Sequence, residues 1–224
     1  MRTETALADA VARVTDRVAA AAIRAGRDPG DVTIVAATKE ADVGAIASAA
    51  RAGVRDFGEN RAKDLSRKAE ASDAVLRWHF LGAVQTNKVA LLERAAVIHG
   101  LDRLREAEAL QHRGDRVDKD WDVLVEVNIA AEPQKQGIPA ADLAPFLDGL
   151  GAYPRLRPRG LMFVAPQVEN PEDVRTMFSE ARALSERFGL PELSMGMSDD
   201  FEVAVEEGST MVRIGRAIFR PGSG

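Results

Sequence analysis

Apolar, strand-like runs alternate with amphipathic helical stretches along almost the whole chain. The first stretch, Glu4 to Gly26, carries apolar residues at helical spacing and predicts a helix before the first strand. Eight later runs are each predicted as a strand: 32–38, 54–57, 76–81, 96–101, 121–129, 156–163, 193–195 and 210–214. Helices are predicted from about 43, 61 and 87, and over 103–113, 141–150, 171–188 and 199–207.

This alternation favours parallel strands, because each connection is long enough for a helical crossover and no Asn-Gly or Asp-Gly turn joins two short strands. Eight β/α units predict an α/β fold of the closed (β/α)8 TIM-barrel type, with an extra N-terminal helix, rather than an open sheet. Residues 1–224 are expected to form one domain. Neither a GxGxxG nor a GxxxxGK[ST] loop occurs, so the common nucleotide-binding fingerprints give no support to an open sheet.

Composition and charge exclude several classes of partner. With a net charge of −5 and no Lys/Arg cluster interleaved with aromatics, a nucleic-acid partner is not expected. No apolar run is long enough to span a membrane, and the acidic N-terminus is unlike a signal peptide. Cysteine is absent and the three histidines lack metal-ligand spacing, so no metal site is expected. We expect a cytoplasmic protein and, without a domain-sized extension, a monomer.

Lys39 ends the first predicted strand. Alternation along that strand places Val35, Ala37 and Lys39 on one face, which in a barrel is the interior face. The carboxyl ends of the strands are where barrels collect their chemistry, so an amine at this point suggests Schiff-base formation or phosphate binding. The alternative is a solvated lysine.

Three other polar residues are candidates near the same rim. Asn60 follows the second strand and either presents its amide at the rim or caps the next helix. His79, between two aromatic residues, is either a hydrogen-bonded core residue or part of the site. Lys135, on the loop after the fifth strand, is most simply solvated.

The last two strands end in features typical of a phosphate site. Barrel phosphate sites are often built from the loops after strands seven and eight and a short extra helix. Ser198 is predicted to open one helix, and Gly215 precedes a short terminal one, where free N–H groups bind anions. Arg213 shares the interior face with Met211 as a fixed cation. An amine, a cation and a phosphate site together match an aldehyde that carries a phosphate, such as pyridoxal 5′-phosphate (PLP).

Motifs spread in order along nearly the whole chain resemble those of one family, the pyridoxal phosphate homeostasis proteins, also called the YggS/PROSC or PLP-binding proteins. The motifs are Ala37-Thr38-Lys39, Phe57-Gly58-Glu59-Asn60, Trp78-His79-Phe80-Leu81-Gly82, Gln85-Thr86-Asn87-Lys88, Val127-Asn128-Ile129, Lys135-Gln136-Gly137, Gly160-Leu161-Met162, Leu193-Ser194-Met195-Gly196-Met197-Ser198-Asp199-Asp200 and Met211-Val212-Arg213-Ile214-Gly215.

This resemblance implies a barrel similar to that of alanine racemases, with PLP as cofactor. Lys39 would form the internal aldimine, and Arg213 would face the pyridine nitrogen, which weakens the electron sink and disfavours carbanion chemistry. Ser198 and the backbone around Gly215 and Arg216 would hold the phosphate, and Lys135 matches a family lysine implicated in releasing or transferring the cofactor. The full predicted cofactor-binding set is Lys39, Asn60, His79, Lys135, Met197, Ser198, Arg213, Gly215 and Arg216.

Two segments depart from the family pattern. Glu40 and Asp42 follow Lys39 where many members carry Thr and a nearby Pro. The segment Arg216-Ala217-Ile218-Phe219-Arg220 replaces a more usual Thr-Ala-Ile-Phe-Gly. The first departure is expected to alter the shape of the loop, and the second leaves backbone contacts to a phosphate in place.

The resemblance implies a carrier rather than an enzyme: a protein that stores, buffers or delivers PLP, a form of vitamin B6, to PLP-dependent apoenzymes. Alanine racemases need a second base, a tyrosine from another domain, whereas this chain has one tyrosine, Tyr153, at an expected strand start. His79 or Lys88 would have to substitute for it. The alternatives are a weak PLP-dependent racemase or lyase, or a lysine Schiff-base aldolase acting on a sugar phosphate.

Overall fold

Eight parallel strands close into a barrel that helices surround. The computed structural model describes residues 4–72, 75–129 and 136–220. The strands are β1 (Thr33–Ala37), β2 (Asp56–Glu59), β3 (Arg77–Ala83), β4 (Ala95–Leu101), β5 (Trp121–Asn128), β6 (Ile138–Pro139), β7 (Leu156–Phe163), β8 (Glu192–Ser194) and β9 (Met211–Ile214). The helices are α1 (Glu4–Arg24), α2 (Val43–Arg51), α3 (Ala62–Glu70), α4 (Leu104–Val117), α5 (Leu143–Leu150), α6 (Arg175–Arg187), α7 (Phe201–Glu206) and α8 (Arg216–Phe219).

The pairing order confirms the predicted barrel. Strands pair in the order β4-β3-β2-β1-β9-β8-β7-β5, and β4 also pairs with β5, which closes the ring. Every pairing is parallel. The two-residue strand β6 was not predicted. It pairs with the end of β5, through Val127 and Ile138, beyond the last pairing of β5 with β4.

The apolar core has two parts, as expected for a barrel. A small cluster fills the lumen and includes Val35, Leu124 and Met211. A much larger cluster lies between the strands and the helices, with Phe57 and Phe178 among its fully buried rings. The predicted inward face of β1 is confirmed, because Val35 and Ala37 both belong to the lumen cluster.

Helix α1 packs against α2, α7 and α8 on the outside of the barrel, which confirms the predicted N-terminal helix. Its apolar face, including Val11 and Val18, is buried. Its polar face forms an ion pair between Arg17 and Glu202 at 2.8 Å. Helix α1 therefore supports α8, the short helix nearest the C-terminus. None of the helices in the described ranges is long and apolar enough to cross a membrane.

Some element boundaries differ from the sequence prediction. The helix expected from residue 87 is a 3₁₀ segment, Thr86–Leu92, in which Val89 and Leu92 are buried at the three-residue period of that helix. The helix expected over 171–188 begins as a 3₁₀ turn, Pro171–Val174, before α6. Strand β2 begins and ends two residues later than predicted, because its last residue, Glu59, is polar yet buried and so lies outside the apolar run.

Candidate functional site

A cavity of about 590 Å³ lies at the carboxyl ends of the strands. It brings together seven of the nine predicted site residues: Lys39, Asn60, Met197, Ser198, Arg213, Gly215 and Arg216. His79 does not line it and is fully buried below, between β2 and β4. Lys135 lies outside the described residues. The volume is in the range typical of sites for small ligands.

Lys39 is an exposed side chain at the mouth of this cavity, two residues beyond the end of β1. Ala37, the last residue of β1, lines the cavity beside it. The small methyl group of Ala37 leaves space between the amine and the lumen. Lys39 is therefore accessible to a ligand that enters from the rim.

Asn60 lines the cavity but does not cap the next helix. Helix α3 begins at Ala62, its N-cap is Arg61, and no side chain caps it. The backbone of Asn60 instead lies against Gly82, where an added Cβ would be 2.2 Å from the Asn60 carbonyl oxygen. Only glycine permits this close approach of β3 to the loop after β2.

The two C-terminal loops meet at Ser198. The Ser198 hydroxyl accepts a hydrogen bond of 3.4 Å from the backbone N–H of Ala217, in the first turn of α8. Ser198 does not open a helix as predicted, because α7 begins at Phe201 and Asp200 precedes it. The side chain of Asp200 accepts the N–H of Met197 at 2.6 Å and so closes the turn that contains Ser198.

Gly196 makes that turn possible. Its φ of +93° lies in the region that side chains rarely adopt, and an added Cβ would be 2.6 Å from the side chain of Ala204. The turn therefore presents Met197 and Ser198 to the cavity only because a glycine precedes them.

Three of the charges that depart from the family pattern form ion pairs at the cavity mouth. Glu40 forms an ion pair with Arg220, which joins the loop after β1 to the end of α8. Arg216 forms an ion pair with Asp199. All four side chains line the cavity and are substantially exposed. The two departures are thus linked, because Glu40 of the first pairs with Arg220 of the second. Asp42 instead caps α2.

Arg213 is a buried cation at the base of the cavity. Its Nη1 donates to the carbonyl oxygen of Ser194 at 2.7 Å and to the Ser194 hydroxyl at 2.6 Å, and its Nη2 donates to the carbonyl oxygen of Phe163 at 3.0 Å. Burial lowers its pKa to about 10, against the opposite effects of Asp200 and Glu126, so Arg213 remains charged at neutral pH. Its guanidinium is held in a fixed plane.

From Arg213 a hydrogen-bonded chain crosses the lumen. The Ser194 hydroxyl lies 3.0 Å from Nδ1 of His99. His99 Nε2 lies 2.9 Å from Nδ1 of His79, and His79 Nε2 lies 2.9 Å from Oδ1 of Asp56. The chain therefore connects five strands, from β9 through β8, β4 and β3 to Asp56 on β2.

The two ends of this chain fix its direction. Arg213 only donates, so the Ser194 hydroxyl accepts from it and donates its own proton to His99 Nδ1. An ionised Asp56 only accepts, so His79 donates through Nε2 and accepts from His99 at Nδ1. We therefore assign the Nε2–H tautomer to both imidazoles. Burial, followed by the neighbouring His79 and Arg213, lowers the pKa of His99 well below 6.5, which agrees with a neutral ring.

Glu126 is the second buried charge near Arg213, and its pKa predicts a pH effect on stability. Burial, followed by repulsion from Asp102, raises the pKa to about 7, although Arg213 opposes the shift. The folded state therefore holds this proton more tightly than the unfolded chain. The protonated Glu126 side chain therefore contributes its full stabilisation of the folded state below about pH 4.5, and this stabilisation is lost as the pH rises to about 7.

We expect Glu126→Gln to raise the free energy of unfolding by about 2 kcal/mol at pH 8, because no buried charge then forms. At pH 5 the variant and the parent should differ little. Urea unfolding at the two pH values measures both differences. Glu108→Gln, on the exposed surface of α4, is the control. An equal effect of Glu126→Gln at both pH values would contradict this assignment.

Sequence reasoning did not assign the buried partners of the cavity residues. Ser194, Asp56 and His99 belong to the chain below Arg213, and Lys68 lies buried beneath the cavity rim. Alternation along β9 places Arg213 on the same interior face as Met211, and alternation along β4 places His99 on the same face as Val97. The sequence therefore contained a signal that His99 points into the barrel. Nothing in the spacing of these residues indicated which polar groups would pair.

Comparison with known proteins assigns the family. A family model described as "Alanine racemase, N-terminal domain" matches residues 11–221. The pyridoxal phosphate homeostasis protein of Aquifex aeolicus (strain VF5) is 40% identical over 217 residues, which cover 93% of this chain and 95% of that protein. The protein of the same name from Escherichia coli (strain K12) is 40% identical over 223 residues and 95% of each chain.

A solved structure agrees with these matches. PipY of Synechococcus elongatus PCC7942, determined with PLP bound, superposes with a TM-score of 0.80 at 31% identity. The match covers 92% of this chain and 99% of PipY. The chain therefore belongs to the alanine racemase N-terminal domain family and, within it, to the pyridoxal phosphate homeostasis proteins.

Proposed function

We propose that this protein binds PLP for intracellular PLP homeostasis, with Lys39 as the residue that links covalently to the aldehyde. The observation that carries the proposal is the convergence of Lys39, Arg213 and Ser198 on one cavity at the barrel rim. PLP-dependent apoenzymes are the proposed recipients. Storage, buffering and delivery all require the same property, a site that holds the cofactor reversibly.

The residues around the cavity fit the chemical groups of PLP. An amine condenses with an aldehyde and releases water, and Lys39 supplies that amine. The Ser198 hydroxyl and the backbone at Gly215 are donors suited to a phosphate, and Arg216 adds a positive charge beside them. Asn60 offers an amide on the same rim.

Arg213 supports a carrier role. Three of its five N–H groups have protein acceptors, which leaves two without one in the described part of the chain. A donor-only group against the pyridine nitrogen leaves that nitrogen unprotonated. PLP supplies an electron sink when bound, and an unprotonated ring weakens it. Arg213 would therefore hold the ring without promoting carbanion chemistry.

The position of Tyr153 argues further against racemisation. It follows α5 and precedes β7, so it lies at the amino ends of the strands, opposite the cavity. Neither His79 nor Lys88 lines the cavity. No group that the sequence suggested as a second base is therefore beside Lys39.

The proposal is tested with the purified protein. We expect a visible absorption band after PLP is added, and borohydride reduction should fix the cofactor on Lys39, as peptide mapping can establish. The bound cofactor should reactivate an apoenzyme, while D- and L-amino acids should not be racemised at an appreciable rate. A protein that stays colourless with PLP would refute cofactor binding. Efficient turnover of an amino acid would instead support the racemase or lyase alternative.

A further inference from the structure

A buried ion pair lies directly beneath the cavity rim. Lys68 on α3 and Glu59 at the end of β2 are in direct contact, and both are almost fully buried, with exposed fractions of 3% and 1%. Thr38, completely buried, completes the cluster. None of the three side chains lines the cavity.

The ion pair holds the backbone immediately before two cavity residues, Lys39 and Asn60. Lys68 Nζ donates to the carbonyl oxygen of Thr38 at 2.7 Å, and this carbonyl belongs to the same peptide group as the N–H of Lys39. Glu59 Oε2 accepts the backbone N–H of Asn60 at 3.2 Å. One ion pair therefore fixes the peptides that lead into both Lys39 and Asn60.

The Thr38 side chain strengthens this link between β1 and β2. Its hydroxyl lies 2.9 Å from Oε1 of Glu59 and 3.0 Å from the carbonyl oxygen of Gly58, while its backbone N–H donates to the same carbonyl at 2.8 Å. Thr38 thus has partners for its N–H, its hydroxyl and its carbonyl. The peptide before Lys39 has little freedom to rotate.

Stability alone gives a weak reason for this cluster. Removing a lysine and a carboxylate from water costs free energy that their attraction often fails to recover, and apolar replacements are frequently as stable. The more exposed pair Asp64–Arg67 on the same helix carries little of this cost. It lines a surface pocket beside Lys39 but does not hold the Thr38–Lys39 peptide as Lys68 does. The buried pair is better explained by what it orients.

We propose that Lys68 and Glu59 are positioning residues for the cofactor-linking lysine: they lock the Thr38–Lys39 peptide so that the Lys39 amine is directed at the aldehyde. This inference rests on the proposed function. Bond formation itself is unchanged: the amine nitrogen adds to the aldehyde carbon, and the aldehyde oxygen leaves as water with two protons from the nitrogen. The pair sets the orientation of the amine before this condensation.

The test separates covalent from non-covalent binding. The paired variant Glu59→Gln/Lys68→Met avoids a stranded buried charge, and Asp64→Asn/Arg67→Met is its matched control. Each is titrated with PLP and with pyridoxamine 5′-phosphate, which has the same ring and phosphate but no aldehyde. We expect the paired variant to lose about tenfold in affinity for PLP and less than about twofold for pyridoxamine 5′-phosphate. The control should lose neither.

A second measurement places the effect on Lys39. In a Lys39→Ala background the paired variant should no longer change PLP affinity, because no covalent link remains to be oriented. Equal losses for the two ligands, or an unchanged PLP affinity, would overturn the positioning role. If the parent protein fails to link PLP at Lys39 at all, the proposed function fails instead, and the two failures are thereby distinguished.

Thr38→Val provides the same test if the paired variant does not fold. It removes only the hydroxyl and keeps the ion pair and the carbonyl contact. We expect a loss of about threefold for PLP and none for pyridoxamine 5′-phosphate. A loss shared by both ligands, or no loss, counts against the proposal.

Discussion

Lys39→Ala is expected to abolish covalent attachment of PLP and to lower its affinity by about 100-fold or more, equivalent to about 3 kcal/mol. The visible band should disappear, and borohydride should no longer fix the cofactor to the protein. Residual binding should survive, because Ser198, Gly215 and Arg213, which also line the cavity, are untouched. Absorbance titration with PLP measures both effects.

Two comparisons make this test specific to Lys39. Pyridoxamine 5′-phosphate should bind the parent protein and Lys39→Ala about equally, since it forms no link to either. Lys88→Ala, which removes an amine outside the cavity, should keep the parent spectrum. An unchanged spectrum in Lys39→Ala would refute the proposed role of Lys39.

Arg213→Met is expected to give the largest loss of stability, about 3 kcal/mol or more in the free energy of unfolding. The substitution leaves the carbonyl oxygens of Ser194 and Phe163 and the Ser194 hydroxyl without their buried donor. Arg213→Lys should recover only part of the loss, because an ammonium lacks the planar fork that reaches these acceptors together. Urea unfolding of the apoprotein measures each value.

Arg213→Met should also change how the free energy of unfolding depends on pH. Arg213 opposes the upward shift in the pKa of Glu126, so its removal should raise that pKa above about 7 and extend the pH-dependent loss of stability to higher pH. Arg159→Met, which removes an exposed arginine paired with Glu192, should change stability by no more than about 0.5 kcal/mol. A small, pH-independent effect of Arg213→Met would contradict the role assigned to the buried guanidinium.

Two charges at the rim of this cavity distinguish the chain from the family pattern. Glu40 and Arg220 both depart from the family pattern, and the structure joins them across the cavity mouth. Sequence comparison presented them as two separate departures, 180 residues apart. Because they pair, they are better understood as one feature of the rim.

Much of the fold could be predicted because it depends on local pattern. Alternation with period two identified the inward faces that carry Val35 and Met211, and the spacing of apolar runs predicted all eight barrel strands. Element ends were less predictable. Strand β2 was predicted to end two residues early because Glu59 is polar, and only its partner Lys68 allows it to be buried at the end of the strand.

The candidate site was predictable to the extent that strand ends and motifs mark it. Lys39 follows a strand, and Ser198 and Gly215 lie in the loops after the last two, so closure of the barrel had to bring them to one rim. The spacing of residues could not predict that His79 would lie below the cavity rather than in its wall. That outcome depends on its bonds to His99 and Asp56.

By itself, the sequence of this protein determined the barrel, the inward faces of its strands and the end of the barrel at which Lys39 and Arg213 meet. The tertiary structure alone decided which buried polar groups pair: Arg213 with Ser194, His99 with His79, and Lys68 with Glu59. The physical reason is that alternation specifies a face but not a partner. Partners are set when the ring closes and strands distant in the chain meet across the lumen, where every buried donor and acceptor must be satisfied.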